Sequence, residues 1–320
     1  MGKLLITGGA GFIGSALARN ALERGWNIRI VDNAPIAHLD SAEHLKSASV
    51  EIIMGDLRNQ ELMRNAVSGC DAVVHLAAQV SVAASIVNPE ETMDINVKGT
   101  FQLIELCHEF GVERVIIASS AAVYGNAQNL PLKEDDAGQT LSPYAHSKWI
   151  NERQIIEARK KGLNAAALRF FNVYGIGQNP GGSYAAVIPK FIEQMVKGIS
   201  PQINGDGLQT RDFVHVNDVA DAILTLLEND WKAQKYHAFN VATQKETSLT
   251  DLVNMINKAI QKFQPEHQLI VPKYGPEREG DIRHSLANIE LIQTTLGWSP
   301  TIIFQDGIEE MVRKKISRPK

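Results

Sequence analysis

The sequence predicts an α/β chain in which a doubly wound parallel sheet is joined to a smaller α/β C-terminal substrate domain. Strand candidates at 3–7, 28–32, 51–54, 72–76, 114–119 and 165–169 alternate with helical patterns near 13–24, 60–67, 92–110 and 144–161. The chain also opens on an apolar strand that runs straight into a glycine turn and a helix. After Arg169 the alternation loosens into a stretch holding Gly175, Gly177, Pro180, Gly181 and Gly182, suited to a passage between lobes. The expected division is 1–172 plus about 213–245 for the first domain and about 173–212 plus 246–320 for the second.

The first element, Lys3-Leu4-Leu5-Ile6-Thr7, is short and apolar, and Gly8-Gly9-Ala10-Gly11-Phe12-Ile13-Gly14 follows at once. Backbone N–H groups and the helix dipole at such a junction suit a pyrophosphate, and glycine lets the backbone approach it closely. The glycines at 8, 11 and 14 are spaced GxxGxxG, a departure from the commoner GxGxxG. The second strand, Asn27–Val31, ends in Asp32, 18 residues beyond Gly14. A carboxylate there accepts hydrogen bonds from an adenosine ribose and repels a 2′-phosphate, so this Rossmann-like opening favours NAD over NADP.

The fifth strand, Val115-Ile116-Ile117-Ala118, leads into Ser119 and Ser120, and open parallel sheets place functional side chains just beyond strand C-termini. The next helical pattern begins Ser142-Pro143-Tyr144-Ala145-His146-Ser147-Lys148. Residues four apart share a helix face, so the Lys148 ammonium can sit beside the Tyr144 phenol and favour its phenolate. An isolated phenol titrates near about 10, too high for a base at neutral pH, which gives the spacing a chemical purpose. Ser120 can hydrogen-bond the substrate oxygen that Tyr144 deprotonates. Together the three residues suit moving a proton and a hydride.

Composition narrows the partners. The 320 residues carry 32 basic and 36 acidic side chains, a net charge of −4, so no basic excess points to nucleic acid or an anionic membrane. Cys70 and Cys107 are the only cysteines and match no metal or redox spacing. No apolar stretch approaches the roughly 20 residues needed to cross a bilayer, and the N-terminus reads as a strand rather than a signal peptide. A cytoplasmic enzyme without metal is expected.

The chain resembles the extended short-chain dehydrogenase/reductases, and among them the nucleotide-sugar 4-epimerases acting on UDP-glucose or UDP-N-acetylglucosamine. The resemblance rests on TGGAGFIG at 7–14, Asp32, Gly55-Asp56-Leu57, HLAAQ at 75–79, SSAAVYG at 119–125, SPYAHSK at 142–148 and RFFNVYG at 169–175. AAVIPKF at 185–191, GDGLQTRDFVHVNDV at 205–219 and REGDIRHSLAN at 278–288 complete it. It implies Ser120, Tyr144 and Lys148 as catalytic residues. It implies an NAD site built from Gly8, Gly11, Phe12, Ile13, Gly14, Asp32, Asn33, Asp56, Leu57, Leu76, Ala77, Ala78, Asn96, Ser119, Tyr144, Lys148 and Phe170. The UDP-sugar would meet Val80, Ser120, Ala121, Tyr144, Asn172, Ala186, Val187, Arg211, Arg278, Asp281 and Ser285. Two arginines suit a diphosphate, which they can grip bidentately. Dehydratases of the superfamily carry an acidic pair where this chain has Ala121 and Ala122, so water elimination is disfavoured.

Small side chains at Ser285 and Ala186 leave room for an N-acetyl group, whereas the branched Val80 and the bare Ala121 depart from N-acetyl-preferring relatives. Activity on UDP-glucose and UDP-galactose is therefore expected, with the N-acetylated pair as further candidates. The resemblance also implies a homodimer paired through the helices near 92–110 and 144–161. A 4-keto reductase, a UDP-glucuronate 4-epimerase and a non-catalytic NAD-binding protein are the alternatives, the last opposed by the intact Ser120, Tyr144 and Lys148.

Overall fold

The computed structural model describes residues 2–34, 42–127, 129–179, 186–231, 236–277 and 282–317. In chain order the strands of the first half are β1 (Lys3–Thr7), β2 (Asn27–Asp32), β3 (Val50–Met54), β4 (Ala72–His75), β5 (Arg114–Ser120) and β6 (Ala165–Phe170). They are followed by β7 (Asn172–Tyr174), β8 (Gln202–Asn204), β9 (Thr210–His215), β10 (Ala238–Val241), β11 (Glu246–Ser248), β12 (Lys273–Gly275) and β13 (His284–Ser285). The helices are α1 (Phe12–Glu23), α2 (Gln60–Val67), α3 (Val82–Val87), α4 (Pro89–Met93), α5 (Gly99–Glu109) and α6 (Pro143–Lys160), then α7 (Val187–Val196), α8 (Val216–Glu228), α9 (Leu249–Phe263), α10 (Glu290–Leu296) and α11 (Phe304–Ile316).

Seven strands form one sheet in the order β3-β2-β1-β4-β5-β6-β10, and every pairing in it is parallel. Strand order reverses between β1 and β4, which opens a crevice at the strand C-termini. Both faces are covered, and the near-continuous apolar strands follow from that: Leu4 and Ile6 pack toward α1 and α8, Leu5 and Val73 toward α2, α5 and α6. A smaller sheet, β11-β9-β13 with β7 also on β9, is accompanied by a third core of α7, α9 and α11 built on Phe191, Ile256 and Met311. β8 and β12 pair separately. No helix among the described residues is long and apolar enough to cross a membrane.

The strand positions follow the sequence reading closely, and so do α1, α2 and α6. The expected single helix at 92–110 is instead α4, a π-turn over Asp94–Lys98, and α5. The wider turn lets the Asn96 carbonyl serve two side chains, accepting from Thr100 Oγ1 at 2.5 Å and Asn151 Nδ2 at 2.8 Å. α3 was not expected. Its signals are Ser81, whose hydroxyl caps it, and the Asn88-Pro89 pair that starts the next helix.

His75, buried at the end of β4, ties this turn to β1. Its Nε2 lies 2.8 Å from Thr100 Oγ1 and its Nδ1 2.6 Å from Thr7 Oγ1. Because the Thr100 proton is committed to Asn96 O, Nε2 donates to Thr100 Oγ1, and in the neutral ring Nδ1 then accepts from the Thr7 hydroxyl. Burial, helped by the Lys148 charge, pushes the His75 pKa down to about 3 from an ordinary 6.5. The unfolded chain therefore takes the proton first: this site's contribution to stability is complete above pH 6.5 and is lost as pH falls toward 3. Urea melts are expected to show stability falling as pH drops below about 6.5, with a shallower fall in His75→Gln. Equal slopes in the two proteins would count against this assignment.

Candidate active site

The glycine turn leads directly into α1. Gly8 sits at φ +71°, where a Cβ would lie 2.7 Å from Ala77 N, and a Cβ on Gly14 would lie 2.2 Å from Gly8 O. No other residue fits either position without moving backbone. α1 has neither a side-chain cap nor an acidic residue in its first turn, so its N-terminal N–H groups face the crevice with nothing to compete for them. Asp32 closes this end: its Oδ2 accepts from Ala10 N and its Oδ1 from Ala34 N, both at 2.9 Å. These bonds fix the carboxylate at the tip of β2.

The crevice has a volume of about 710 Å³. Of the residues expected around a dinucleotide, Gly8, Gly11, Phe12, Ile13, Gly14, Asp32, Asn33, Asp56, Leu57, Leu76, Ala77, Ala78, Ser119, Tyr144, Lys148 and Phe170 line it. Asn96 does not. It is buried behind the wall, where its Oδ1 accepts from Gln79 N at 2.8 Å and its Nδ2 donates to Gln79 O and Ser147 Oγ, each at 3.0 Å. It holds Gln79, which does reach the crevice. A cleft of this volume lined by the glycine turn, the α1 N-terminus and the Asp32 carboxylate fits a dinucleotide.

The reacting end is assembled from β5, α6 and α3. Ser142 caps α6 by accepting from Ala145 N, and Pro143 sits in the first turn, so the helix begins just before Tyr144. Tyr144 N donates to Ser85 Oγ at 3.1 Å, which anchors that turn on α3. Ser120 ends β5, its Oγ accepting from Ala122 N at 3.2 Å. Lys148, one turn into α6, is buried and donates from Nζ to Ala118 O at 2.9 Å. Ser120, Tyr144 and Lys148 thus all line the crevice.

The electrostatics differ from the expectation that Lys148 lowers the Tyr144 pKa. Burial raises the phenol, and the bond that opposes the rise comes from Ser120. Burial also pulls Lys148 down to about 8, which leaves it charged at neutral pH. At the opposite end Asp56 is held below the usual carboxylate range by its hydrogen bond to Arg58, whose Nη2 is 2.6 Å from Asp56 Oδ2.

The residues expected around a UDP-sugar are less completely gathered. Val80, Ser120 and Tyr144 line the crevice, whereas Ala121, Asn172, Ala186, Val187, Arg211 and Ser285 do not. Ala121 starts the turn after β5, Asn172 starts β7, Ala186 caps α7 and Val187 begins it. Arg211 and Ser285 are paired in register on the smaller sheet, where Arg211 Nη1 donates to Thr210 O at 2.8 Å. Arg278 and Asp281 lie outside the described residues.

Arg58, Gln79, Glu91, Ile95, Phe171, Val173 and Gln178 also line the cleft and were not singled out from the sequence. Gln79 closes the HLAAQ motif and Phe171 and Val173 lie within RFFNVYG, so those motifs carried the signal. Arg58, Glu91, Ile95 and Gln178 stand outside them and carried none.

With this geometry, comparison with known proteins is specific. Residues 4–242 match the family described as NAD dependent epimerase/dehydratase. A UDP-glucose 4-epimerase of Mycolicibacterium smegmatis is 34% identical over 97% of this chain and 97% of its own. The structure of a UDP-N-acetylglucosamine 4-epimerase from Methanobrevibacter ruminantium M1, in complex with UDP-N-acetylmuramic acid, superposes with a TM-score of 0.90 at 34% identity, covering 99% of this chain and 98% of the other. The Thermus thermophilus UDP-glucose 4-epimerase, in complex with NAD, gives a TM-score of 0.84 at 29% identity, covering 98% and 99%. The matched segment holds the glycine turn, Asp32, Ser120, Tyr144 and Lys148, and the chain belongs to the NAD dependent epimerase/dehydratase family.

Proposed function

We propose that the protein is a UDP-hexose 4-epimerase that interconverts UDP-glucose and UDP-galactose through a transient 4-keto sugar, using NAD held in the crevice. The observation that carries this reading is that Ser120, Tyr144 and Lys148 line the same cleft as the glycine turn and Asp32. NAD, when bound, accepts a hydride from the sugar 4-carbon and gives it back. Tyr144 removes the 4-hydroxyl proton as the hydride leaves, and returns it when the hydride is delivered to the other face of the keto sugar. Ser120 holds the oxygen whose proton moves. Lys148 supplies a buried positive charge one helical turn from the phenol.

Gly8, Gly14 and the α1 N-terminus would hold the pyrophosphate and Asp32 the adenosine ribose. Ala121 and Ala122 offer no acid for elimination of water, which leaves oxidation and reduction at one carbon. Val80, Asn172, Ala186, Val187, Arg211, Arg278, Asp281 and Ser285 would receive the UDP-sugar, with the small Ser285 and Ala186 admitting UDP-GlcNAc and UDP-GalNAc as further substrates. Sheet membership supports a cofactor domain of 1–172 plus about 213–245 and a substrate domain of about 173–212 plus 246–320, since β10 returns to the main sheet. A cytoplasmic homodimer paired through α5 and α6 completes the reading, supported by Phe101 on α5, which is 50% exposed.

The test is incubation of the purified protein with UDP-glucose, UDP-galactose, UDP-GlcNAc and UDP-GalNAc without added cofactor, with the epimers resolved by chromatography. UDP-glucose and UDP-galactose are expected to reach the same mixture from either side. No interconversion of these sugars, beside stoichiometric oxidation of added reduced cofactor by a UDP-4-keto-hexose, would replace this reading with a keto reductase.

A further inference from the structure

Asp212 follows Arg211 in β9 and is completely buried, at 0% exposure. Its carboxylate accepts four hydrogen bonds from neutral groups. Oδ1 takes Thr243 N at 2.8 Å and Thr243 Oγ1 at 2.7 Å; Oδ2 takes Gln244 N at 2.9 Å and Ala287 N at 3.3 Å. Burial raises the Asp212 pKa, and the bonds from Thr243, Ala287 and Gln244 oppose that rise. An anion withdrawn from water without such bonds would be too costly to keep.

The donors come from two segments that are remote in sequence. Thr243 and Gln244 follow β10, the last strand of the main sheet, and Gln244 is held at φ 57°, a left-handed conformation that costs a non-glycine residue energy. Ala287 follows β13, whose Ser285 pairs with Arg211. One side chain therefore fastens the strand that carries Arg211, the stretch that carries Ser285 and the edge of the main sheet. A carboxylate has two acceptor oxygens and no donor, so it alone among side chains of this size can receive all four bonds.

We propose that Asp212 is a positioning residue for substrate recognition, which presets Arg211 and the Ser285–Ala287 stretch against the main sheet before the nucleotide sugar arrives. The proposal rests on the reading of the protein as a UDP-hexose epimerase. Asp212 touches no reacting atom in this scheme, so its effect belongs in substrate affinity rather than in turnover.

The experiment compares wild type with Asp212→Asn and Thr243→Val, measuring UDP affinity by calorimetry, KM and kcat with UDP-galactose, and bound NAD by absorbance. Asparagine keeps one acceptor oxygen and turns an N–H₂ group toward two donors. UDP binding and KM are expected to weaken on the order of 10-fold, the scale of leaving a buried donor unpaired. The kcat and NAD content should stay within about twofold, as expected when only binding shared by ground and transition states is lost. Thr243→Val, which removes one bond and leaves the charge, should shift UDP affinity less and in the same direction, and it decides the matter if Asp212→Asn does not fold. Unchanged UDP affinity, or kcat and NAD content falling in step with it, would overturn the proposal. A wild type that binds UDP and NAD but converts no UDP-hexose would instead refute the epimerase reading, with the UDP measurement still testing Asp212.

Discussion

Tyr144→Phe is expected to lower kcat for UDP-galactose by roughly 10²- to 10⁴-fold, the range associated with a positioned proton-transfer group. The substitution removes one oxygen. The ring still fills the same space, and the helix cap at Ser142 and the backbone bond from Tyr144 N to Ser85 Oγ do not depend on the phenol. NAD content and UDP affinity should therefore survive, which separates lost chemistry from lost structure. The measurement is a steady-state assay beside NAD quantification in both proteins. A variant retaining kcat within about threefold would remove Tyr144 from the mechanism. Because burial raises the pKa of the phenol and Ser120 opposes that rise, removing the Ser120 hydroxyl would act on the same proton transfer from the other side.

Glu152→Gln is expected to carry the largest cost in stability. Glu152 lies one turn beyond Lys148 on α6 and is wholly buried against Arg169 of β6, itself 2% exposed. Arg169 Nε and Nη2 donate to the two carboxylate oxygens at 2.9 and 2.7 Å, and Ser119 Oγ donates to Oε1 at 2.5 Å. Arg169 Nη1 reaches further, to Tyr124 OH at 2.9 Å and Glu134 O at 2.6 Å. Removing one charge leaves a buried guanidinium with no counter-charge bonded to it, which costs on the order of 3–5 kcal/mol. Equilibrium urea unfolding measures this directly. Replacing both partners by apolar residues of similar volume should recover part of the loss, because the two charges are then removed together. A loss below about 1 kcal/mol in the single variant would show that the pair is not needed to hold α6 on the sheet.

Much of this was legible in the sequence. The glycine turn and Asp32 can be read because a close approach between backbone segments tolerates only glycine and a strand tip exposes its last side chain. Ser120, Tyr144 and Lys148 can be read because one strand end and one helix face carry them. Lys148 was harder. Spacing places it a turn from Tyr144 and does not say that its ammonium donates to Ala118 O or that the phenol's opposing bond is made by Ser120. Asn96 was misplaced by a similar limit: its position along the chain is right, but the π-turn directs it behind Gln79. Arg211 and Ser285 were identified by motif, and only tertiary structure shows them paired across β9 and β13. Asp212 was hidden altogether, because nothing local indicates that donors after β10 and after β13 converge on it.

The place of β10 in the main sheet has a consequence for how the chain is made. Its register partner is β6, with Ala238 beside Ala167 and Val241 beside Phe170. While the protein is synthesised from its N-terminus, β1 through β6 can assemble first, but the β6 edge stays open until Val241 has emerged. That edge presents unpaired N–H and C=O groups beside the apolar run Ala165–Leu168, the kind of surface that recruits a stray strand. The smaller sheet cannot be finished inside this interval: β7 and β9 precede β10, whereas their partners β11 and β13 follow it. Birth on the ribosome thus imposes an order in which the strand that closes the main sheet emerges between β9 and the two strands, β11 and β13, that flank it in the smaller sheet.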